Sequence, residues 1–249
     1  MSTSKDHGAT WTVKSIDDSP VTCGSRDRCQ WIPEGTVDPN SGRIYVVFAQ
    51  ADTATSDTNI WFKSSGDGGA TWSDRRKLND DDTNLDQYFP SVSVAPNGRV
   101  DVAWHDFRND RYYQPAATFA EELYWDAYHT SSSDGGATWT PNIRISDRSM
   151  HKNEGYTLSS SYGLMGPIGI ASTDGAAHIA WGDSRRGTVQ MPTEDYYFTS
   201  VVYDAEQLAT SGSDDEERPA VWFALGAAVM VGILGTVLLL VSRRMKAPA

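Results

Sequence analysis

One eight-residue pattern occurs three times in this chain. Ser4-Lys-Asp6-His-Gly8-Ala-Thr10-Trp11, Ser65-Gly-Asp67-Gly-Gly69-Ala-Thr71-Trp72 and Ser132-Ser-Asp134-Gly-Gly136-Ala-Thr138-Trp139 all read S-x-D-x-G-x-T-W. The tryptophans lie 61 and 67 residues apart, which suits one supersecondary unit per repeat. The residue types explain one another. An Asp carboxylate accepts hydrogen bonds from the backbone of its own turn. The Gly supplies the positive φ of a tight hairpin. The Ser and Thr hydroxyls satisfy further turn backbone, and the Trp is expected to turn inward as a large apolar anchor. The motif stabilises a turn and needs no catalytic explanation.

Between the turns the chain reads as short strands. Nine Trp and eleven Tyr in a Gly- and Asp-rich sequence fit half-buried strands separated by tight turns, hence an all-β protein. Arg43–Gln50 and Asn59–Ser64 lead into the second pattern, and Arg75–Leu78 follows it. Pro90–Ala95, Arg99–Trp104 and Glu122–Thr130 lead into the third, followed by Asn142–Ile145. Gly166–Ser172, Ala176–Trp181 and Tyr196–Tyr203 begin another unit that has no such turn. The first unit contributes only its turn and an outer strand, Trp11–Ile16. Asn40-Ser-Gly42, Asn97-Gly98 and Asp174-Gly175 mark hairpins between first and second strands.

These segments resemble the Asp-boxes, or BNR repeats, of the sialidase-like β-propeller superfamily. The resemblance covers roughly residues 1–205. It makes Asp6, Gly8, Trp11, Asp67, Gly69, Trp72, Asp134, Gly136 and Trp139 structural box residues, each box closing the hairpin between the third and fourth strands of an antiparallel blade. The fold class expected is therefore all-β, a partial β-propeller with two full and two partial blades. A ring takes roughly four to eight blades. The remainder is expected from upstream sequence or from a second copy.

Strand order sorts the loops onto two faces. The boxes and first hairpin turns share one. The second-to-third strand loops and blade-to-blade connections share the other, which the resemblance implies carries the site. On that face Trp104-His-Asp106-Phe-Arg108 and Trp181-Gly-Asp183-Ser-Arg185 repeat one another. Two readings stand: a ring of Asp and Arg around a pocket for an anionic or hydroxylated sugar, or a repeated structural ion pair. Arg111, Tyr112, Tyr113 and Arg186, which occur once, are the better candidates for ligand contact. Asp80, Asp82, Asn84 and Asp86 alternate oxygen ligands as calcium loops do, but Leu85 stands where such a loop has its Gly, and a solvated acidic loop is expected. The histidines lack metal-ligand spacing, and no Gly-rich phosphate loop is visible. No metal or other cofactor is expected. The resemblance implies glycoside hydrolysis by an arginine triad, a Tyr activated by a Glu, and an acidic Asp. Gln30-Trp31-Ile32-Pro33 echoes the family's Arg-Ile-Pro motif, with Trp31 in the Arg position and after a box instead of before the first. No residue is carried into a catalytic role.

The C-terminal stretch Ala220–Val241 holds 22 residues without a charge, enough for one bilayer crossing at about 1.5 Å per residue. Segment 220–242 is read as a transmembrane helix, 206–219 as an acidic linker and 243–249 as a short basic tail. Arg243, Arg244 and Lys246 place the C-terminus in the cytoplasm and the N-terminal domain outside. No apolar leader is visible after Met1. The net charge is −12, which disfavours nucleic acid as a partner. An acidic surface suits a protein adapted to high salt, or simply a β protein rich in Asp turns. Cys23 and Cys29 close a short loop and are read as a disulfide, with two free thiols as the other possibility. Two functions follow: a surface-anchored propeller that binds or hydrolyses glycans, or a non-catalytic surface propeller serving as a protein-interaction or envelope scaffold.

Overall fold

The computed structural model describes residues 1–18, 33–53, 57–113, 124–151, 167–187 and 195–203. All of these lie in the first of two compact units, Met1–Ser211; the second is Gly212–Ala249. The Cys23–Cys29 loop, Gln30–Ile32, the linker and the expected transmembrane segment lie outside the described residues. Among the described residues no helix is long and apolar enough to cross a membrane.

The described residues are all-β, arranged as separate antiparallel sheets. β1 (Ser2–Thr3) pairs with β2 (Thr12–Val13) across the first Asp turn. A four-stranded sheet follows in the order β3 (Glu34–Val37), β4 (Ile44–Ala51), β5 (Thr58–Ser65), β6 (Arg76–Lys77). The next sheet runs β7 (Gln87–Val94), β8 (Val100–Asp106), β9 (Tyr124–Ser132), β10 (Ile143–Arg144). β11 (Met150–His151) also pairs with β9, so the outer strand of this sheet is broken in two. The last sheet has three strands, β12 (Gly169–Ser172), β13 (Ala176–Asp183) and β14 (Asp195–Val202).

Strands connected in chain order, each sheet a meander, are consistent with a partial propeller. β7 starts three residues before the Pro90 at which the sequence suggested a strand. Its register slips between Tyr88 and Ser91, and Phe89 has φ of 50°, so a bulge absorbs the proline.

The core sits between sheets. Every residue of β8 is buried, because that strand has a neighbouring sheet on each side. Strand alternation sends Val100, Val102 and Trp104 to one side and Ala103 to the other. The first set packs with Tyr45, Val47, Ile60 and Phe62 of the preceding sheet. Ala103 joins Trp125 and Ala127 against Ala177, Ile179 and Trp181 of the following one.

Candidate functional site

The turn face fixes where the loops go. In all three turns the Ser hydroxyl accepts from the Gly N–H, at 2.7 to 2.8 Å, and donates to Asp Oδ1 at 2.8 Å. The Asp carboxylate accepts from the Thr backbone at 2.8 Å and the Thr hydroxyl at 2.6 Å. The Thr hydroxyl thus serves the carboxylate and not the turn backbone. The Thr10 and Thr71 bonds, with help from Ser4 and Ser65, hold the carboxyls of Asp6 and Asp67 down at about 2.

The three tryptophans differ. Trp139 meets the Phe62 ring edge-on at 4.9 Å, and Trp72 is half-buried. Trp11 is 61% exposed and does not turn inward, since no described sheet precedes it.

On the loop face the repeated W-x-D-x-R segments form one geometry twice. The Trp104 indole N–H donates to Asp106 at 2.8 Å, the Arg108 backbone N–H donates to the same carboxylate, and the Arg108 guanidinium pairs with it at 2.8 Å. Trp181, Asp183 and Arg185 repeat this at 3.2, 2.8 and 2.6 Å. Each guanidinium also lies over a tyrosine of the neighbouring strand, Tyr128 at 4.2 Å and Tyr197 at 3.7 Å. Each reaches a second carboxylate in the preceding connection, Asp80 at 2.7 Å and Asp147 at 2.6 Å. Burial pushes the Asp106 carboxyl up against the pull of Arg108. Burial works against the Arg108 charge, yet its bonds to Asp106 and Asp80 hold its pKa above the ordinary value. These side chains strut strand ends to loops.

The acidic connection is spent in the same way. Asp80 accepts from Arg108 and Asn142, and Asp81 from Asn79. Asp86 accepts the Thr58 backbone N–H at 2.6 Å, while Leu85 is buried in the core. No cluster of three or more metal-ligating side chains exists among the described residues.

The residues that occur once form a different assembly. Tyr112 is 58% exposed, and its ring lies 5.0 Å from that of Tyr124. Tyr124 meets the His151 imidazole edge-on at 4.8 Å, and the Arg111 guanidinium lies 5.7 Å from the Tyr112 ring. Asp110 builds the cluster. Its buried carboxylate accepts the backbone N–H of Tyr112 at 3.0 Å and of Tyr124 at 3.2 Å, clamping both ends of the loop. Pairing of β11 with β9 sets His151 opposite Tyr124. Tyr113 turns toward the core and is half-buried. Arg186 lies apart, largely exposed, 3.7 Å from Asp195. Sequence reasoning named Arg111, Tyr112 and Tyr113 but not Asp110 or Tyr124. An acceptor two residues before an exposed Tyr is a short-range signal for the clamp. Nothing local marks Tyr124, whose role depends on strand register.

No family model matches the chain, and no curated protein matches it either. Solved structures do. An α-L-arabinofuranosidase from Fusarium graminearum is 14% identical with a TM-score of 0.49, over 68% of this chain and 44% of that one. An α-L-arabinanase from Penicillium chrysogenum is 16% identical with a TM-score of 0.45, over 69% and 48%. A Hadza microbial sialidase is 17% identical with a TM-score of 0.42, over 68% and 34%. The chain spans less than half the length of each. These solved structures are similar to the chain over part of its length only.

Proposed function

We propose that this chain is the glycan-recognising part of a sialidase-like propeller, anchored at the cell surface by its C-terminal apolar segment. One observation carries the reading: the Tyr112–Tyr124–His151 cluster with Arg111 beside it, on the loop face. Aromatic rings offer flat apolar surface to the C–H faces of a sugar, with polar edges left for hydroxyls. Arg111 adds a donor fork for an acidic sugar. The Asp turns, read as Asp-boxes, support the propeller assignment. Segment 220–242, the acidic linker and the basic tail support single-pass anchoring with the domain outside. Nucleic acid is no partner on this reading, and no cofactor enters.

The test is a glycan array probed with the full chain in detergent, followed by cleavage assays on sialosides and arabinosides. Binding that is lost in Tyr112→Ala supports the reading. Binding to no glycan, together with cleavage of none, sinks it and leaves a protein-binding scaffold. Protection of the N-terminal domain from protease added to intact cells would refute the extracytoplasmic placement.

A further inference from the structure

The rings of the candidate site stand in a row. Tyr112 meets Tyr124 at 5.0 Å and Tyr124 meets His151 at 4.8 Å, while no ring contact joins Tyr112 to His151 directly. The row crosses the sheet toward its outer edge. Tyr112 lies in the loop before β9, Tyr124 opens β9, and His151 lies on β11, which pairs with β9. The sheets meet through β7, the first strand of its own sheet, which touches β3, β4 and β12. Tyr124 is two strands away from β7 and His151 three, so the row is at the edge opposite that junction.

A guanidinium stands near each end. Arg111 adjoins Tyr112, and Arg148 lies in the 145–149 connection that leads into β11. Both are exposed, and neither makes an ion pair among the described residues. The described carboxylates around the row are already engaged. Asp110 is the buried clamp of the loop, Asp126 pairs with Arg144 at 2.7 Å, and Asp147 pairs with Arg185 at 2.6 Å. The chain as a whole is acidic, yet the charge left uncompensated here is positive. The next sheet prolongs this surface, Ser184 donating to the His151 carbonyl at 2.9 Å.

A closed pocket takes the end of a sugar chain, whereas a row with a cation near each end fits a stretch within one. Ring faces pack on the C–H faces of successive sugars, and guanidinium forks take carboxylates. We propose that this row binds an internal stretch of a polyuronate, a polysaccharide with a carboxylate on each sugar, with Arg111 and Arg148 on carboxylates of different residues. The inference rests on the glycan reading and narrows it to one class of polymer.

The experiment titrates the full chain in detergent micelles with oligogalacturonates, from the monomer through the dimer and tetramer to the hexamer. The methyl-esterified hexamer, of equal length and without charge, is titrated beside them. Binding should be absent for the monomer, tighten with length and fall about tenfold or more on esterification, since a charge-assisted contact contributes about that much. Arg111→Gln and Arg148→Gln should each weaken the hexamer about tenfold and leave the ester unchanged. Added salt should weaken the acid and not the ester. A monomer bound as tightly as the hexamer overturns the proposal, as does an ester bound as tightly as the acid. So does hexamer binding that Tyr112→Ala or both arginine variants leave intact. The comparison of acid with ester on the wild type decides without any variant having to fold. A neutral glycan held through Tyr112 while no oligogalacturonate binds overturns this inference and keeps the glycan reading; binding of no glycan at all overturns both.

Discussion

The turns at Asp6, Asp67 and Asp134 repeat the same 2.8 and 2.6 Å carboxylate bonds, whereas the loops at the opposite ends of the strands share little. What the loop face does repeat, Asp106–Arg108 and Asp183–Arg185, is tied to tryptophan, tyrosine and a second carboxylate of the protein itself. What it does not repeat, Tyr112 with Tyr124 and His151, is an aromatic cluster with an exposed edge. In a fold made of copies, repetition marks what every copy needs, which is structure. The residues free to differ are where function is sought.

Substitutions can break that division. Phe62→Ala removes the ring beneath Gly136 and Trp139 and should cost about 3–5 kcal/mol in urea unfolding, as large cavities do. Glycan binding by the protein that remains folded should be unchanged. A large loss of binding without loss of stability would merge the two faces. Asp67→Ala deletes the acceptor of three bonds in one turn and should lower the urea midpoint, by less than Phe62→Ala does. The same change at Asp6, whose turn has no described sheet in front of it, should cost less.

Two pH dependences sharpen the comparison. Burial holds the His105 imidazole down at about 3, against an ordinary 6.5, with neither ring nitrogen hydrogen-bonded. The unfolded chain therefore takes up a proton that the folded one refuses. Stability should fall as pH drops from 6.5 toward 3, with a slope of about one proton that His105→Phe abolishes. Asp6 and Asp67 act in the same direction at lower pH. Their carboxyls lie at about 2 against 3.8, so the stability they contribute is present above 3.8 and is lost as pH falls toward 2. Thermal melts of Thr71→Val should lose part of that acid limb. The smallest effect belongs to Tyr112→Ala and Arg186→Ala, expected to shift stability by about 0.5 kcal/mol or less. Of these two, only the former should abolish binding.

The turns were legible in the sequence because each is closed by hydrogen bonds spanning four residues or fewer; Asp67 and Thr71 carry their geometry with them. The strands were legible because β8 alternates between two cores. Proline misled at β7, since Pro90 sits in a bulge and not at a strand start. The candidate site was half legible. Tyr112 lies beside Arg111 in the chain, but Tyr124 and His151 reach it through strand pairing and the far half of the Asp110 clamp, neither of which leaves a local pattern. Trp11 was misread for a related reason: its turn is local, while its burial depends on a neighbouring sheet.

The donors to each turn carboxylate bear on ionic strength. Asp67 is held by two hydroxyls and an amide, all neutral. Mobile ions screen the attraction between full charges, as in the exposed Arg75–Asp52 pair, over a distance of about 3 Å at molar salt. They have far less to screen between a carboxylate and neutral donors already in contact with it. In concentrated brine the surface pairs should fade while the hairpin closures of this acidic protein persist.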